Sequence, residues 1–275
     1  MQINGKTKIY GIIGNPVSHS LSPLMHNQAF AACNENRVYV PLHTEDLHAA
    51  LQGLRGMQID GVSVTIPFKE RVLDLLDEVD PVAAKIGAVN TVVARRGESG
   101  VKLFGSNTDW LGSNKALLGH IELRRSRAVI LGAGGAARAI GFGLLEAGAG
   151  VEIKSRSEVK GRRLAEELGC LWSPLNEKPK EAAAILINAT SVGMDPDNQA
   201  RPVDQSLVGA YRVVMDIVYV PLQTQLLKDG AAHGCICVNG LEMLLYQGVA
   251  QFELWTGRSA PVEVMRRALL DAVSR

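Results

Sequence analysis

The run Val129–Ile140, VILGAGGAARAI, constrains this chain more than any other stretch. An apolar strand meets Gly132-x-Gly134-x-x-Ala137 and passes straight into a helical pattern. The first glycine permits a tight turn, and the second lets backbone approach a pyrophosphate at the helix N-terminus. The small residue at the third position keeps helix and strand close. A second strand, VEIKS, follows, so the motif sits in the strand–turn–helix–strand context that gives it meaning. That context commits this half of the chain to a parallel sheet with helices on its faces.

The end of the second strand refines the expected ligand. An NAD site places a carboxylate about twenty residues beyond the glycines, on the ribose 2′-hydroxyl. Here the strand ends in Lys154-Ser155-Arg156-Ser157, with Lys160 one turn on, and Glu152 lies earlier, inside the strand. A guanidinium and an ammonium at this point attract a 2′-phosphate, which a carboxylate would repel. The expectation is NADP(H) over NAD, set against a solvated basic strand end.

Strand and helix patterns alternate along all 275 residues, enough for one large or two ordinary α/β domains with real cores. In the first half, KIYGIIGN, RVYVPLH and DGVSVTI read as strands. SPLMHNQAFAACN reads as a helix with Ser22 as N-cap and Pro23 at its first position. EDLHAALQGLRG reads as another. KERVLDLLDEVD spaces Val72, Leu75, Leu76 and Val79 as one helical face, and AVNTVVARR–GESG–VKLFGSN reads as a hairpin. The net charge of +1 is mixed along the chain, which argues against nucleic-acid or membrane-surface partners and for a small-molecule one. No stretch approaches eighteen apolar residues, and the first residues lack the apolar core of a secretory leader. Cys235-Ile236-Cys237, read with its two thiols diverging, matches neither a redox C-x-x-C nor a zinc knuckle, and no histidine cluster suggests a metal. A reducing, cytoplasmic setting is the simplest expectation.

Several polar groups fall where strands end. SHSLSP offers Ser18, Ser20 and Ser22, VTIPFK offers Thr65 and Lys69, and Asn90 and Asp109 follow in AVN and NTD. Each has a structural alternative: Ser22 and Asp109 as helix caps, Asn90 as a turn residue, Lys69 as a solvated helix opener. As a set they are hydroxyls, an amide, an ammonium and a carboxylate at strand ends, where open α/β sheets bind ligands.

The segments NPVSHSLSPLMHN, VTIPFK, GAVNT, NTD, GAGGAARA, NATSVGM, DIVYVP and NGLEMLLYQG occur in that order and span nearly the whole chain. The sequence resembles the shikimate dehydrogenases, including the quinate/shikimate dehydrogenases. The resemblance implies an N-terminal α/β substrate domain and a Rossmann-type doubly wound parallel sheet with a cleft between them. Residues 1–109 with 241–275 would form the first and 110–240 the second. It implies NADP-dependent, reversible reduction of 3-dehydroshikimate to shikimate, a step of chorismate and aromatic amino-acid biosynthesis, by a monomer or homodimer.

Carried over by residue, Lys69 is the acid/base and Asp109 its polar partner. Ser20 and Ser22 grip the substrate carboxylate, with Tyr219 on that side, and Thr65, Asn90 and Gln247 contact the substrate. Gly132, Ala133, Gly134, Gly135 and Ala136 form the pyrophosphate turn. Ser155, Arg156, Ser157 and Lys160 form the adenosine-phosphate loop, and Ile217, Gly240 and Met243 surround the nicotinamide. Pro67 and Phe68 would be the rigid packing that aims Lys69. The chain departs from the family pattern at Ser155-Arg156-Ser157, where Asn-Arg-Thr is usual. It also departs at Ser63 for Asn, Trp110 for Gly and Asn239 for Asp. The competing expectations are a quinate/shikimate dehydrogenase with relaxed NAD/NADP use and a non-catalytic dinucleotide sensor.

Overall fold

A computed structural model describes residues 3–98, 100–175 and 177–274. The chain divides into two compact units: residues up to Thr108 together with those from Gln247 on, and Asp109–Tyr246.

The first unit begins β1 (Lys8–Gly14), α1 (Ser22–Ala32), β2 (Arg37–His43), α2 (Leu47–Gly56) and β3 (Gly61–Val64). It continues with β4 (Glu78–Val79), α3 (Pro81–Ile86), β5 (Thr91–Gly97) and β6 (Gly100–Ser106). Its sheet has the order β2-β1-β3-β5-β6-β4. The helical crossovers make β2, β1 and β3 parallel, while β5 runs antiparallel to β3 and, across the hairpin, to β6. Ile13, Val62, Val64, Val92 and Leu103 pack on Leu47, Leu51 and Leu54 of α2.

The helix expected over Lys69–Val79 does not form. The Val72 N–H donates to the Phe68 carbonyl at 2.9 Å, and Leu73–Leu75 make one 3₁₀ turn. Glu78–Val79 then pair with Phe104–Gly105 as an edge strand. Asp77 diverts the run: its carboxylate accepts the Leu103 N–H at 2.6 Å and Arg55 Nη1 at 2.7 Å. Strand pairing thus overrides helical periodicity, which is a weak local preference. Ser22 also differs from expectation. Leu21 is the N-cap of α1, Ser22 lies inside the first turn, and its N–H donates to Ser20 Oγ at 3.3 Å.

The second unit runs α4 (Asp109–Leu118), β7 (Arg127–Leu131), α5 (Gly135–Glu146), β8 (Gly150–Ser155), α6 (Glu158–Leu168) and β9 (Leu171–Pro174). There follow β10 (Ile185–Asn188), β11 (Val213–Asp216), α7 (Gln225–Ala232), β12 (Ile236–Val238) and the start of α8 (Gly240–Thr256). The order is β12-β11-β10-β7-β8-β9, and every pairing is parallel. Read from β9, that is the 3-2-1-4-5-6 order of dinucleotide-binding sheets. Alternation along β7 serves two cores: Ala128 and Ile130 pack on one face, Val129 and Leu131 on the other. Both faces are therefore covered. Trp110 packs edge-on against Phe142 of α5 at 5.9 Å. The two thiols of Cys235 and Cys237 do not diverge, because residues two apart along a strand share a face. Both pack on the same cluster.

The division between units falls inside α8. Met243 belongs to a core of the second unit, whereas Phe252 and Trp255 join the first unit's aromatic cluster with Phe30, Tyr10 and Tyr39. Gly61 makes room for the Trp255 ring, since a Cβ there would lie 2.6 Å from its Nε1. The chain closes with α9 (Val262–Val273), packed on α1.

Candidate active site

In the second unit, the strand order reverses between the neighbours β7 and β10, and ligands of such sheets bind where the carboxyl ends diverge. A cavity of about 530 Å³ lies there. Leu131 and the turn Gly132-Ala133-Gly134 form one wall. Gly132 adopts φ +119°, and a Cβ on it would come within 3.0 Å of the Ala189 carbonyl. Gly134 caps α5 and has open space at its Cβ position. Gly135 and Ala136 begin α5, whose first N–H groups have no helical acceptors and favour an anion.

The loop after β8 contributes Ser155, Arg156, Ser157 and Lys160 to the same cavity. Arg156 and Lys160 are exposed. Ser157 caps α6, accepting the Lys160 N–H at 3.3 Å. The Ser155 hydroxyl is committed within the protein: it donates to the Ser157 carbonyl at 2.8 Å and accepts Trp172 Nε1 at 3.1 Å. Lys154 points elsewhere. It is buried and donates to Ser173 Oγ at 2.7 Å, to the Glu177 carbonyl at 2.8 Å and to the Pro174 carbonyl at 3.3 Å. Burial lowers its pKa, opposed by Glu152. Glu152 is also spent, accepting Ser173 Oγ at 2.5 Å and the Lys180 N–H at 2.9 Å. No carboxylate of β8 is therefore available to a ribose, and two exposed cations line the cavity.

The geometry of this loop has a mutational consequence. A Cβ on Gly161 would lie 2.0 Å from Ser155 Oγ and 2.1 Å from Trp172 Nε1, both in buried residues. Gly161→Ala is expected to cost about 1–3 kcal/mol by overpacking, despite the better helix propensity of alanine. Thermal unfolding checks this; an unchanged or higher Tm would contradict it.

Thr190 and Val192, from the loop after β10, line the cavity as well. Their segment, NATSVGM, carried the family resemblance without a residue role of its own; its position directly after an apolar strand was the available signal. Asn188, fully buried, shapes this loop. Its Oδ1 accepts the Thr190 N–H at 3.1 Å and Thr190 Oγ1 at 2.6 Å, and its Nδ2 donates to the Val192 carbonyl at 3.1 Å and to Asp216 Oδ1 at 2.9 Å. Asp216 also accepts the Val218 N–H at 3.0 Å and Thr224 Oγ1 at 2.7 Å. Burial pushes the Asp216 carboxyl up to about 6, against the pull of these three donors. A carboxyl whose folded pKa exceeds its unfolded value of 3.8 stabilises the fold when protonated. That contribution is complete below the unfolded pKa and is lost as pH rises through the folded one. Asp216→Asn is therefore expected to gain stability relative to the parent between pH 4 and pH 7, by on the order of 3 kcal/mol at most. Urea unfolding at both pH values reads this difference, and a pH-independent difference would refute it.

Ile217, Gly240 and Met243 come together beyond β11 but do not line the cavity. A Cβ on Gly240 would lie 2.4 Å from the Ile217 carbonyl oxygen, so only glycine lets α8 start against that loop. Met243 is buried in the core on which Ile217 packs. Tyr219 follows two residues later and is half-buried. Asp109 is buried in the first turn of α4.

In the first unit, the carboxyl ends of β1 and β3 bring two motifs together. The Asn15 N–H donates to the Ile66 carbonyl at 3.0 Å, and the Thr65 N–H to the Ile13 carbonyl at 3.0 Å. A Cβ on Gly14 would lie 2.4 Å from Thr65 Cγ2. The segment carrying Ser20 and Ser22 thus starts beside the one carrying Thr65 and Lys69. Phe68 is buried in the core and anchors the loop, whereas Pro67 is exposed and does not pack as expected. The Lys69 carbonyl accepts the Val89 N–H at 2.8 Å, which ties its backbone to the segment bearing Asn90.

Asn90 is buried rather than a surface turn residue. Its Nδ2 donates to Thr108 Oγ1 at 2.9 Å and to Gln247 Oε1 at 3.4 Å, and its Oδ1 accepts the Thr108 N–H at 2.8 Å. Gln251, one turn beyond Gln247 on α8, donates to the Asn90 carbonyl at 3.2 Å and to Thr91 Oγ1 at 2.9 Å. Ser63 in turn donates to Gln251 Oε1 at 2.9 Å and accepts the Tyr39 hydroxyl at 2.6 Å. Gln251 and Thr108 escaped the sequence reading, although a glutamine pair four apart on one helix was a usable signal.

Comparison with known proteins identifies a family for the chain as a whole. A family model for the shikimate dehydrogenase substrate binding domain matches residues 12–92, and one for the shikimate 5′-dehydrogenase C-terminal domain matches residues 240–270. A shikimate dehydrogenase (NADP+) of Pyrococcus furiosus is 46% identical, covering 98% of this chain and 97% of the relative. A crystal structure of a shikimate dehydrogenase in complex with NADP+ superposes with a TM-score of 0.93 at 38% identity, covering 100% of this chain and 98% of that one. The Thermus thermophilus shikimate 5-dehydrogenase in complex with NADP(H) and shikimate has a TM-score of 0.87 at 39% identity, covering 97% and 100%.

Proposed function

The chain belongs to the shikimate dehydrogenase family, and on that premise we propose that it interconverts 3-dehydroshikimate and shikimate with NADP(H). The observation that carries this reading is 46% identity over 98% of the chain to an NADP+-dependent shikimate dehydrogenase. The cavity of the second unit suits the cofactor: a glycine turn and a helix N-terminus for pyrophosphate, and two exposed cations for one further phosphate. We assign Gly132–Ala136 to the pyrophosphate, Arg156, Ser157 and Lys160 to the ribose phosphate, and Ile217, Gly240 and Met243 to the nicotinamide end. Ser155 supports that loop through its internal bonds.

Bound NADPH supplies the hydride that reduces the ketone. Lys69 carries a proton on Nζ and delivers it to the ketone oxygen as negative charge develops there. Asp109 acts as its polar partner on the substrate. Ser20 and Ser22 hold the substrate carboxylate with Tyr219 on that side, and Thr65, Asn90 and Gln247 contact the remainder of the ring. The reaction is a step of chorismate and aromatic amino-acid biosynthesis, and four unpaired cysteines suit a reducing cytoplasm.

Steady-state assays with shikimate or quinate, each with NADP+ or NAD+, test the reading. Turnover of shikimate with NADP+ well above the other three combinations is expected. Equal turnover of quinate would move the protein to the broader quinate/shikimate group, and no turnover with any pair would leave a dinucleotide sensor.

A further inference from the structure

The proposed cofactor cavity owes one wall to a loop with no regular secondary structure, and a single side chain spans it. Asn188 bonds Thr190 through its oxygen and Val192 through its nitrogen, so both cavity-lining residues depend on which way its amide faces. Thr190 Oγ1 also accepts the Val192 N–H at 3.1 Å, which closes the loop on itself. The Thr190 N–H, which can only donate, and the Val192 carbonyl, which can only accept, already favour this facing of the amide. Asp216 reinforces it: its Oδ1 accepts from Asn188 Nδ2 at 2.9 Å, and an ionised carboxylate offers only acceptors. The same carboxylate accepts the Val218 N–H in the loop beyond β11, which carries Ile217. One buried anion thus joins the loops that follow two neighbouring strands.

We propose that Asp216, which does not itself line the cavity, is a positioning residue for the dinucleotide. Acting through Asn188, it holds Thr190 and Val192 in the geometry that the cofactor meets. Its burial makes the ionised form costly to the fold at neutral pH, as expected of a group kept for a site and not for stability. The proposal rests on the reading of this cavity as the NADP(H) site.

The test is direct titration of the full-length protein with NADP+, followed by fluorescence or calorimetry, beside kcat, KM and Tm. Asp216→Ala is expected to raise the NADP+ Kd about tenfold or more, a loss of the size of one charge-assisted hydrogen bond. The rise should appear chiefly in KM, with kcat at saturation changed much less. Asp216→Asn, which keeps an oxygen facing Asn188 and the Val218 N–H, is expected to restore binding to within about threefold of the parent. Thr224→Ala removes the α7 cap and the other carboxylate contact while leaving Asn188 untouched. It should lower Tm and spare Kd. Equal Kd for Asp216→Ala and the parent overturns the proposal, as does a Thr224→Ala Kd raised as far as that of Asp216→Ala. An Asp216→Ala chain that does not fold, with Asp216→Asn binding normally, overturns it in favour of a structural role. Failure of the parent itself to bind NADP+ is a different outcome, which refutes the reading of the cavity.

Discussion

Lys69→Ala is expected to lower kcat for shikimate oxidation by roughly 10²–10⁴-fold, the scale on which a positioned acid/base contributes. KM for shikimate should change far less, because truncation spares the loop. Phe68 stays buried in the first unit's core, the Phe68 N–H donates to the Thr65 carbonyl at 2.9 Å, and the Lys69 carbonyl accepts the Val89 N–H at 2.8 Å. None of these contacts involves the Lys69 side chain. Circular dichroism and Tm near those of the parent would accompany the loss. A variant kcat within threefold of the parent would remove Lys69 from the mechanism.

The double variant Arg156→Ala/Lys160→Ala is expected to lower kcat/KM for NADP+ by about two to three orders of magnitude and to leave the NAD+ value nearly unchanged. Two charge-assisted bonds to a phosphate supply about 3–4 kcal/mol together, and each 1.4 kcal/mol is a factor of ten. Selectivity falls to these two side chains because the other charges of the strand end are consumed. Lys154 is held by Ser173, Pro174 and Glu177, and Glu152 by Ser173 and the Lys180 N–H. Both variant positions are exposed, so Tm should move little. Parallel losses with NADP+ and NAD+ would show that the pair does not read the 2′-phosphate.

Much of the second unit was legible in the sequence. Gly132, Gly134 and the β-strand before them carry the turn in their own residue types, and the cavity forms there. The loop from Ser155 to Lys160 was legible for the same reason, since its charges are consecutive. The opposite wall was not. Thr190 and Val192 reach the cavity because β10 happens to be the neighbour of β7, some sixty residues away in sequence. In the first unit, the hairpin of β5 and β6 followed from its turn residues. The alternative of a turn residue stayed open for Asn90 because its partners, Thr108 and Gln247, are distant in the chain.

From the sequence alone came the alternation of strands and helices, the dinucleotide turn, the preference for a phosphorylated ribose and the family. Those features depend on residue type, local spacing and order, which a chain carries whether or not it is folded. Only the tertiary structure decided that Lys69–Val79 is no helix, because Asp77 found Leu103 and Arg55 across the sheet edge. It alone decided that Lys154 and Glu152 are spent on each other's neighbours, and that Asn188 and Asp216 stand behind the cavity. A buried polar group is defined by what lies opposite it, and strand pairing, not sequence distance, supplies the opposite side.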